Sequence, residues 1–337
     1  MKLVVYGGIG EHGRNCFLIQ GNHACFLLDA GTGGSGELPS LPSEVIPRLC
    51  CVFLSHSHAD HSGALFLLAK YGFHGKLLAT TETLAQISSP VPSLSLDHGH
   101  YGPVSWYWGR SGHCIGSAWI SIAFEGKRIL YSGDYYEESG GYLCDPIRGQ
   151  QADIALIDAA YGATDLSIEK AASTILGEIR RQLEVHPLLL FPVPKHGRGQ
   201  DLLRLFSLRL AGIPIWADKR LLEEKQQDPH AFWLHPFMDD AKELEGIPRR
   251  GIVLFCDPQL NTGEGRELAR HAFTICTGTI DASSNAEEII RKGLGVFLRY
   301  PVHQNLGEYM ALCRKNQFTV TVPFHCPSLG QEQVVTF

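Results

Sequence analysis

The sequence predicts an α/β protein of about two domains, and three observations support that prediction. The chain has 337 residues, more than twice the roughly 150 residues of a common domain. Its first half contains short apolar runs separated by Gly and Asn, as in successive strands and hairpins. Its second half alternates amphipathic helical runs with apolar strands, which is the pattern of a parallel α/β layer.

Each element is predicted from its local pattern. In the first half, strands are predicted for the apolar or alternating runs at 2–7, 15–21, 24–31, 49–55, 76–80, 119–124, 128–134 and 154–162. The fourth strand leads through a polar elbow into a helix in the latter half of 55–72. In the second half, helices at 167–185 and 199–210 alternate with strands at 187–194, 213–218, 251–257 and 272–278.

Composition is that of an ordinary globular protein. Hydrophobic residues make up 44% of the chain and charged residues 19%, which excludes a disordered tail. Apolar runs stay below the roughly 18 residues of a membrane helix, and the N-terminus shows no secretory pattern. Ten Cys without CxxC pairs indicate reduced thiols. We therefore expect a cytoplasmic protein with no membrane partner.

The Gly-rich motif near the start is not expected to bind a dinucleotide. Gly8, Gly10 and Gly13 spell GxGxxG after a strand, but that motif requires a helix to begin at the third glycine. Two further strands follow instead, so the dinucleotide interpretation is rejected.

The central feature is the segment SHSHADHSG, which contains His56, His58, Asp60 and His61. Four potential ligands within six residues, directly after an apolar strand, would be a costly group of desolvated side chains if nothing bound them. Imidazole and carboxylate ligands suit zinc. The segment therefore predicts a metal site, in preference to a solvated polar loop.

HxHxDH at a strand end resembles the signature of the metallo-β-lactamase superfamily, and further motifs follow in the expected order. LLDAG contains Asp29, which in that superfamily supports the metal loop; GHCIGS contains His113; and YSGD contains Asp134. The resemblance implies an αββα sandwich that holds two Zn²⁺, or Mn²⁺ in their place. It assigns His56, His58 and His113 to one metal, Asp60 and His61 to the second, and Asp134 to both.

Such a pair of metals, about 3.5–4 Å apart, can hold a bridging hydroxide as nucleophile, because coordination lowers the pKa of water to about 7. This chemistry suits phosphodiesters, thioesters or lactams. A small-molecule hydrolase acting on a thioester or lactam therefore remains an alternative at this point.

The second half resembles the β-CASP group, the nucleic-acid-processing branch of that superfamily, and the opening GGIGEHGRNCFLI is similar to ribonuclease J enzymes. The segment DIALIDAAYG, which contains Asp158, resembles the first motif of the β-CASP group. KHGRGQDLLRL, CDPQLNTGEGRELA and CTGTIDASSNAEEIIRKG resemble its later segments, and Gly-rich turns at helix N-termini can face phosphates. YPVHQNLGEYM supplies His303, and TVTVPFHCP supplies His325.

The resemblance implies a nested architecture. Residues 1–165 form the first part of the metallo-β-lactamase domain, residues 166–296 the β-CASP cap, and residues 297–337 the return segment. His325 completes the second metal site, and His303 is the general acid oriented by Asp158. Asp60 counts as a catalytic residue as well as a ligand.

Some positions depart from the family pattern. Gln304 and Asn305 follow His303 where an Asp is usual, Cys326 replaces a Gly after His325, and Asp257 replaces a Ser. A non-catalytic nucleic-acid-processing partner therefore remains an alternative to an enzyme.

His in the third motif goes with RNA-processing members, so RNA is the expected substrate and partner, with single-stranded DNA or a DNA-directed nuclease as alternatives. The net charge of −6 argues against a generally basic surface but leaves room for a local patch. Candidates for that patch are Lys195, His196, Arg198, Arg204 and Arg209. A homodimer is a further possibility, and His98 and His100, although spaced like ligands, are not expected to bind the catalytic metals.

Overall fold

The computed structural model describes residues 1–226, 228, 231–238, 240–327 and 334–337. The chain forms two compact units. Unit 1 comprises Met1–Glu137, Cys144–Asp165 and His303–Phe337, and unit 2 comprises Glu138–Leu143 and Leu166–Val302.

The N-terminal part of unit 1 consists mainly of short strands. Its strands are β1 (Lys2–Gly7), β2 (Cys16–Gln20), β3 (Cys25–Leu28), β4 (Leu49–Phe53), β5 (Lys76–Ala79), β6 (Ser93–Ser95), β7 (His100–Tyr101), β8 (Val104–Arg110), β9 (Ala118–Phe124), β10 (Lys127–Tyr131) and β11 (Gln151–Asp158). Its helices are α1 (Ala59–Ser62), α2 (Phe66–Lys70) and α3 (Thr81–Gln86).

Unit 2 alternates helices and strands, as its sequence pattern predicts. Its helices are α4 (Ile168–Leu183), α5 (Arg198–Arg209), α6 (Lys219–Gln226), α7 (Gly263–His271) and α8 (Asn285–Arg291). Its strands are β12 (Leu188–Pro192), β13 (Ile215–Ala217), β14 (Lys242–Glu243), β15 (Gly251–Phe255), β16 (Phe273–Cys276) and β17 (Gly295–Phe297). The chain then returns to unit 1 with α9 (Leu306–Arg314), β18 (Gln317–Phe324) and β19 (Val334–Thr336).

Unit 1 is a sandwich of two sheets with helices on the outer faces. The strand orders are β19-β1-β2-β3-β4-β5-β6 and β18-β11-β10-β9-β8-β7. Aromatic contacts join the inner faces: the ring centroids of Phe26 and Phe124 are 5.2 Å apart, as are those of Phe53 and Trp106. Helix α2 lies against the outer face of the first sheet, and α9 covers the second through Leu312. This αββα arrangement confirms the predicted fold class.

Unit 2 contains a third sheet, parallel throughout, in the order β14-β13-β15-β12-β16-β17. Helices α4, α5 and α6 pack on one face, and α7 packs on the other. Parallel strands that are buried on both faces have continuous apolar sequences. For this reason LLLFP in β12 and GIVLF in β15 are recognisable as strands from the sequence.

The observed unit boundary differs from the expected one at the return segment. Residues 297–302 lie in unit 2, whereas the motif-based division begins the return segment at 297. The reason is packing: β17 pairs with β16, and Tyr300 and Val302 are buried in the same core as α4 and α5. The segment Glu138–Leu143 also joins unit 2, where Gly141 N donates to Asp201 Oδ1 at 2.7 Å.

The glycine motif at the start leads into a strand, which agrees with the rejection of a dinucleotide site. Gly8, Gly10 and Gly13 all have positive φ, and β2 follows without an intervening helix. Gly13 lies against the metal-binding loop predicted from the sequence, since a Cβ there would come 3.3 Å from Asp60 Cβ. Among the described residues, no helix combines the length and apolar character needed to cross a bilayer.

Candidate metal centre

The histidine-rich segment leaves the end of β4 and continues into α1. His56 and His58 lie in the connection before the helix, and Asp60 and His61 lie within it. Backbone hydrogen bonds hold this turn against the N-terminal strands, with Asn15 N donating to the Asp60 carbonyl at 3.0 Å. The approach is so close that a Cβ at residue 31 would lie 1.7 Å from that same carbonyl oxygen. Only glycine fits at this position.

The second sheet supplies the remaining polar residues at its strand ends. His113 precedes β9, Asp134 follows β10, and Asp158 is the last residue of β11. Strand β18 runs parallel to β11, in a register that pairs Asp158 with Phe324. His325 therefore emerges beside Asp158, although 167 positions separate them in the chain.

A first cluster contains His56, His58, His113 and Asp134, whose candidate ligand atoms all lie within 4.8 Å of one another. Asp134 Oδ2 lies 3.6 Å from His56 Nε2 and 3.4 Å from His113 Nε2. His56 is fully buried, and its Nε2 has no hydrogen-bond partner among the described residues. A buried nitrogen without a partner is costly, and a metal ion would satisfy it.

A second cluster contains Asp60, His61, Asp134 and His325. Here the other carboxylate oxygen of Asp134, Oδ1, lies 3.0 Å from His61 Nε2 and 3.1 Å from His325 Nδ1. His325 Nε2 lies 3.2 Å from Asp60 Oδ2. Each oxygen of Asp134 thus faces a different cluster, which is the geometry expected of a carboxylate shared by two ions.

A third group pairs His303 with Asp158. His303 Nδ1 donates to Asp158 Oδ2 at 2.7 Å, and His303 Nε2 lies 4.0 Å from Asp134 Oδ2. Asp158 is fully buried and also accepts hydrogen bonds from Tyr135 N and Ala160 N, so its carboxylate is fixed. The imidazole is therefore oriented with one nitrogen towards the two clusters.

Asp29 lies beneath the second cluster and makes contacts of the kind expected for a support. It accepts hydrogen bonds from Ser55 N, Ser55 Oγ and Tyr131 OH, and His61 Nδ1 donates to its Oδ2 at 2.5 Å. The bond to Nδ1 leaves His61 Nε2 to face Asp134. Asp29 has a φ of +57°, an unusual backbone conformation held in place by these four bonds.

Burial and neighbouring charges move the pKa values of these residues in opposite directions. Burial, reinforced by His61, holds the pKa of His56 well below its usual value, so this ring is neutral and can donate a lone pair. Burial alone would raise the pKa of Asp134, but the imidazoles of His61, His325 and His303 outweigh it and hold that pKa well below its usual value.

The two histidines of the second cluster behave differently. Burial opposes protonation of His61, yet Asp134, Asp60 and Asp29 outweigh it and raise its pKa well above the usual value. In the same way, Asp134 and Asp60 overcome burial and raise the pKa of His325 to about 10. In the metal-free protein these imidazoles therefore carry protons that a metal ion would displace.

The residues present fit metal binding by their chemistry as well as their geometry. Both clusters combine imidazole nitrogens with carboxylate oxygens, the ligand set used by zinc and tolerated by manganese. All ten cysteines are described and free, and the clusters contain none of them. His98 and His100 belong to none of the clusters among the described residues.

Several residues that hold the site were not identified from the sequence. Asn15 Nδ2 lies 2.9 Å from His61 Nε2, and Ser55 Oγ lies 3.0 Å from His56 Nδ1. Ser55 carried a usable signal, because it immediately precedes the ligands at a strand end. Asn15, 46 positions before its partner, carried none.

The unusual residues after His303 have structural roles. Gln304 Nε2 donates to the Asp158 carbonyl at 2.6 Å, and Asn305 caps α9 in a reciprocal pair with Glu308. The departures from the family pattern therefore stabilise the segment that carries His303.

The five residues of the proposed basic patch have different surroundings. His196 Nδ1 lies 3.0 Å from buried Glu224, and Arg198 Nε donates to the Tyr300 carbonyl. Arg204 Nε is buried and has no hydrogen-bond partner among the described residues. That all five face RNA stays a prediction.

A two-sheet αββα sandwich with shared His and Asp clusters at its strand ends defines the metallo-β-lactamase class of metal-dependent hydrolase folds. Residues 9–101 match the family model described as the metallo-beta-lactamase superfamily.

The relatives of the chain have names from RNA metabolism. It is 26% identical over 273 residues to an RNase J-like protein of Methanocaldococcus jannaschii, covering 72% of this chain and 64% of that one. It is also 26% identical to transcription termination factor FttA of Lokiarchaeum sp., and that match covers 66% of this chain and 42% of the relative. The identity to endoribonuclease ysh1 of Aspergillus fumigatus is again 26%, and the match covers 78% of this chain and 39% of the relative. These matches confirm the resemblance to the β-CASP group, although the chain spans less than two thirds of the length of these relatives.

A solved structure of a protein of unknown function from Enterococcus faecalis V583 has the same fold. The TM-score is 0.63 at 13% identity, and the match covers 98% of this chain and 96% of the other. At that identity, the similarity concerns the fold alone.

Proposed function

We propose that the chain is a metal-dependent ribonuclease that hydrolyses RNA phosphodiesters. The observation that carries the proposal is the pairing of His303 with Asp158 next to a carboxylate that faces two metal-ligand clusters. The two clusters fit two neighbouring metal ions of the kind that act on phosphodiesters. The third group supplies a proton donor for a leaving oxygen.

The chain's own ligands would hold two ions, for which we propose Zn²⁺, with Mn²⁺ as the alternative. His56, His58 and His113 would hold one, Asp60, His61 and His325 the other, and Asp134 would contact both. When bound, the ions would supply an activated water for attack on phosphorus and would neutralise charge on the phosphate.

His303 acts as the general acid in this proposal. Asp158 accepts from Nδ1, which fixes the ring with Nε2 directed towards the clusters; when the imidazole is cationic, Nε2 also carries a proton. That proton would pass to the 3'-oxygen as its bond to phosphorus breaks. Asp158 thereby acts as a positioning residue, since it does not reach the reacting atoms itself.

The choice of RNA is supported by the names of the relatives and by a histidine at position 325. The cap identity of unit 2, a cytoplasmic location and a homodimer are further proposals. Single-stranded DNA is the competing nucleic-acid substrate.

The test uses protein of measured metal content and end-labelled RNA and DNA of matched sequence, each with a 5'-hydroxyl or a 5'-phosphate. We expect Asp134→Asn to abolish RNA hydrolysis with the fold retained. His303→Ala should slow cleavage by about 10²–10⁴-fold with both metals retained. The control is His74→Ala, an exposed histidine of unit 1 that should cut like wild type.

The outcomes separate the alternatives. Equal cleavage by wild type and Asp134→Asn would refute the metal mechanism, and unchanged cleavage by His303→Ala would move the acid role elsewhere. Hydrolysis of an acyl-glutathione thioester without cleavage of RNA would identify a small-molecule hydrolase. RNA binding without any hydrolysis would identify a non-catalytic partner.

A further inference from the structure

Unit 2 contains a cavity of about 500 Å³ between α4 and α5, lined only by residues of that unit. Its apolar wall comes from positions three and four apart, which share one face of a helix. These residues are Ile168, Ala172 and Leu176 on α4 and Leu205 and Leu208 on α5. Leu208 is about half exposed, so the cavity opens to solvent.

Three arginines, Arg180, Arg204 and Arg209, line the same cavity. None of them has an ion pair among the described residues, and the buried Nε of Arg204 has no hydrogen-bond partner there. By contrast, Arg181 on the same helix as Arg180 pairs with Glu178. Two acidic residues, Glu169 and Asp201, also line the cavity, so its lining contains one more arginine than acidic residues. In a chain with a net charge of −6, this local excess of guanidinium groups favours an anion from outside the chain.

The base of the cavity offers a hydrogen-bond acceptor. Asp201 is buried, and its Oδ1 accepts from Ser139 Oγ at 3.0 Å and from Gly141 N at 2.7 Å. Both of these bonds use Oδ1. A ligand N–H group could donate to the same carboxylate.

We propose that this cavity is a nucleotide-binding subsite, separate from the metal centre in its residues. Arginine recognises phosphate by paired, charge-assisted hydrogen bonds, so Arg204 and Arg209 would hold the phosphate. The leucine-lined wall suits a flat base, and a volume of about 500 Å³ lies within the usual range for small-molecule sites. Asp201 would accept from an amino group of the base.

The choice of a nucleotide among anions rests on the proposed ribonuclease function. The nucleotide could be free, or it could be one residue of a bound RNA strand. Both sources present the same phosphate, sugar and base to the cavity, so the test must distinguish them.

The test measures equilibrium binding of radiolabelled AMP and of a short labelled RNA to the full chain carrying Asp134→Asn, so that cleavage does not interfere. In this background we compare Arg204→Met and Arg209→Met with the matched control Arg181→Met, which lies outside the cavity. Removing one cavity arginine should raise the dissociation constant of at least one ligand by about tenfold or more. The control should bind both ligands unchanged.

The two ligands identify the source. A raised dissociation constant for AMP supports a site for free nucleotide. A raised dissociation constant for RNA alone supports a site for one residue of the strand. Since Arg209 is exposed, Arg209→Met gives the answer even if Arg204→Met does not fold.

Three results would overturn the proposal. The first is an unchanged dissociation constant for both ligands in both arginine variants. The second is that neither ligand binds at concentrations up to millimolar. The third is that inorganic phosphate competes as strongly as AMP. Failure of the ribonuclease proposal would be recognised separately, because wild type would leave RNA uncut while the arginine variants still weakened nucleotide binding.

Discussion

Replacing Asp29 by Asn should weaken the second metal cluster more than the first. The side chain keeps its size, and Asn tolerates the positive φ observed here, so backbone strain should not increase. Of the four hydrogen bonds to the carboxylate, the charge-assisted one from His61 loses its anionic acceptor. Such a bond contributes about 1.5–3 kcal/mol, which corresponds to roughly a 10- to 150-fold loss in affinity. Asp29 reaches the histidines of the first cluster through Ser55, whose Oγ lies 3.0 Å from His56 Nδ1.

The measurement is a competition between the protein and a chromophoric zinc chelator, followed by metal analysis after gel filtration. At a chelator concentration that leaves two zinc ions on wild type, Asp29→Asn should retain one. The matched control is Asp153→Asn, which alters a partly buried pair with Lys127 outside the metal clusters and should retain both ions. Equal affinity of the Asp29 variant and wild type, or loss of both ions in parallel, would refute the reasoning.

Three further outcomes are expected. Gly31→Ala should remove the metal from the second cluster, because the new Cβ would collide with the Asp60 carbonyl. The control Gly34→Ala has nothing within 4 Å of the new Cβ and should keep the wild-type metal content. Equal metal content in both variants would contradict the geometry. Asn305→Ala should lower the free energy of unfolding in urea by about 1 kcal/mol through loss of the α9 cap, with unchanged metal content. The pKa of His325 in the metal-free protein is raised to about 10, so zinc binding must release the proton of this imidazole. Zinc affinity should therefore rise between pH 6 and 9, by up to about tenfold per pH unit for that one proton. Calorimetry in buffers of different ionisation enthalpy measures this release, and a pH-independent affinity would contradict it.

The first cluster was the most predictable part of the site. His56 and His58 lie within three residues of each other after an apolar strand, so local spacing alone indicated a metal. His113 and Asp134 depended on resemblance, because no local rule connects a GH or a GD turn with ligands 50 or more residues earlier. The structure brings all four together.

The long-range pairing lay beyond sequence reasoning from periodicity. Nothing local in 317–324 indicates that this strand runs parallel to β11, yet that register is what brings His325 beside Asp158. Strand β8 was missed although a signal existed: in VSWYWGR, Val104 and Trp106 are buried, whereas Ser105 and Tyr107 are exposed. Glycine contacts such as that of Gly31 depend on tertiary approach and leave no trace in periodicity.

The insertion of unit 2 imposes an order on biosynthesis. All ligands of the first cluster lie within residues 56–134, so a growing chain carries them before unit 2 has been made. His303 and His325 are translated only after that unit, and they complete the second cluster and the acid pair. A nascent chain could therefore acquire its first ion early yet lack the proposed proton donor until unit 2 had been synthesised. The proposed cleavage activity would thus have to wait until His303 and His325 have been made.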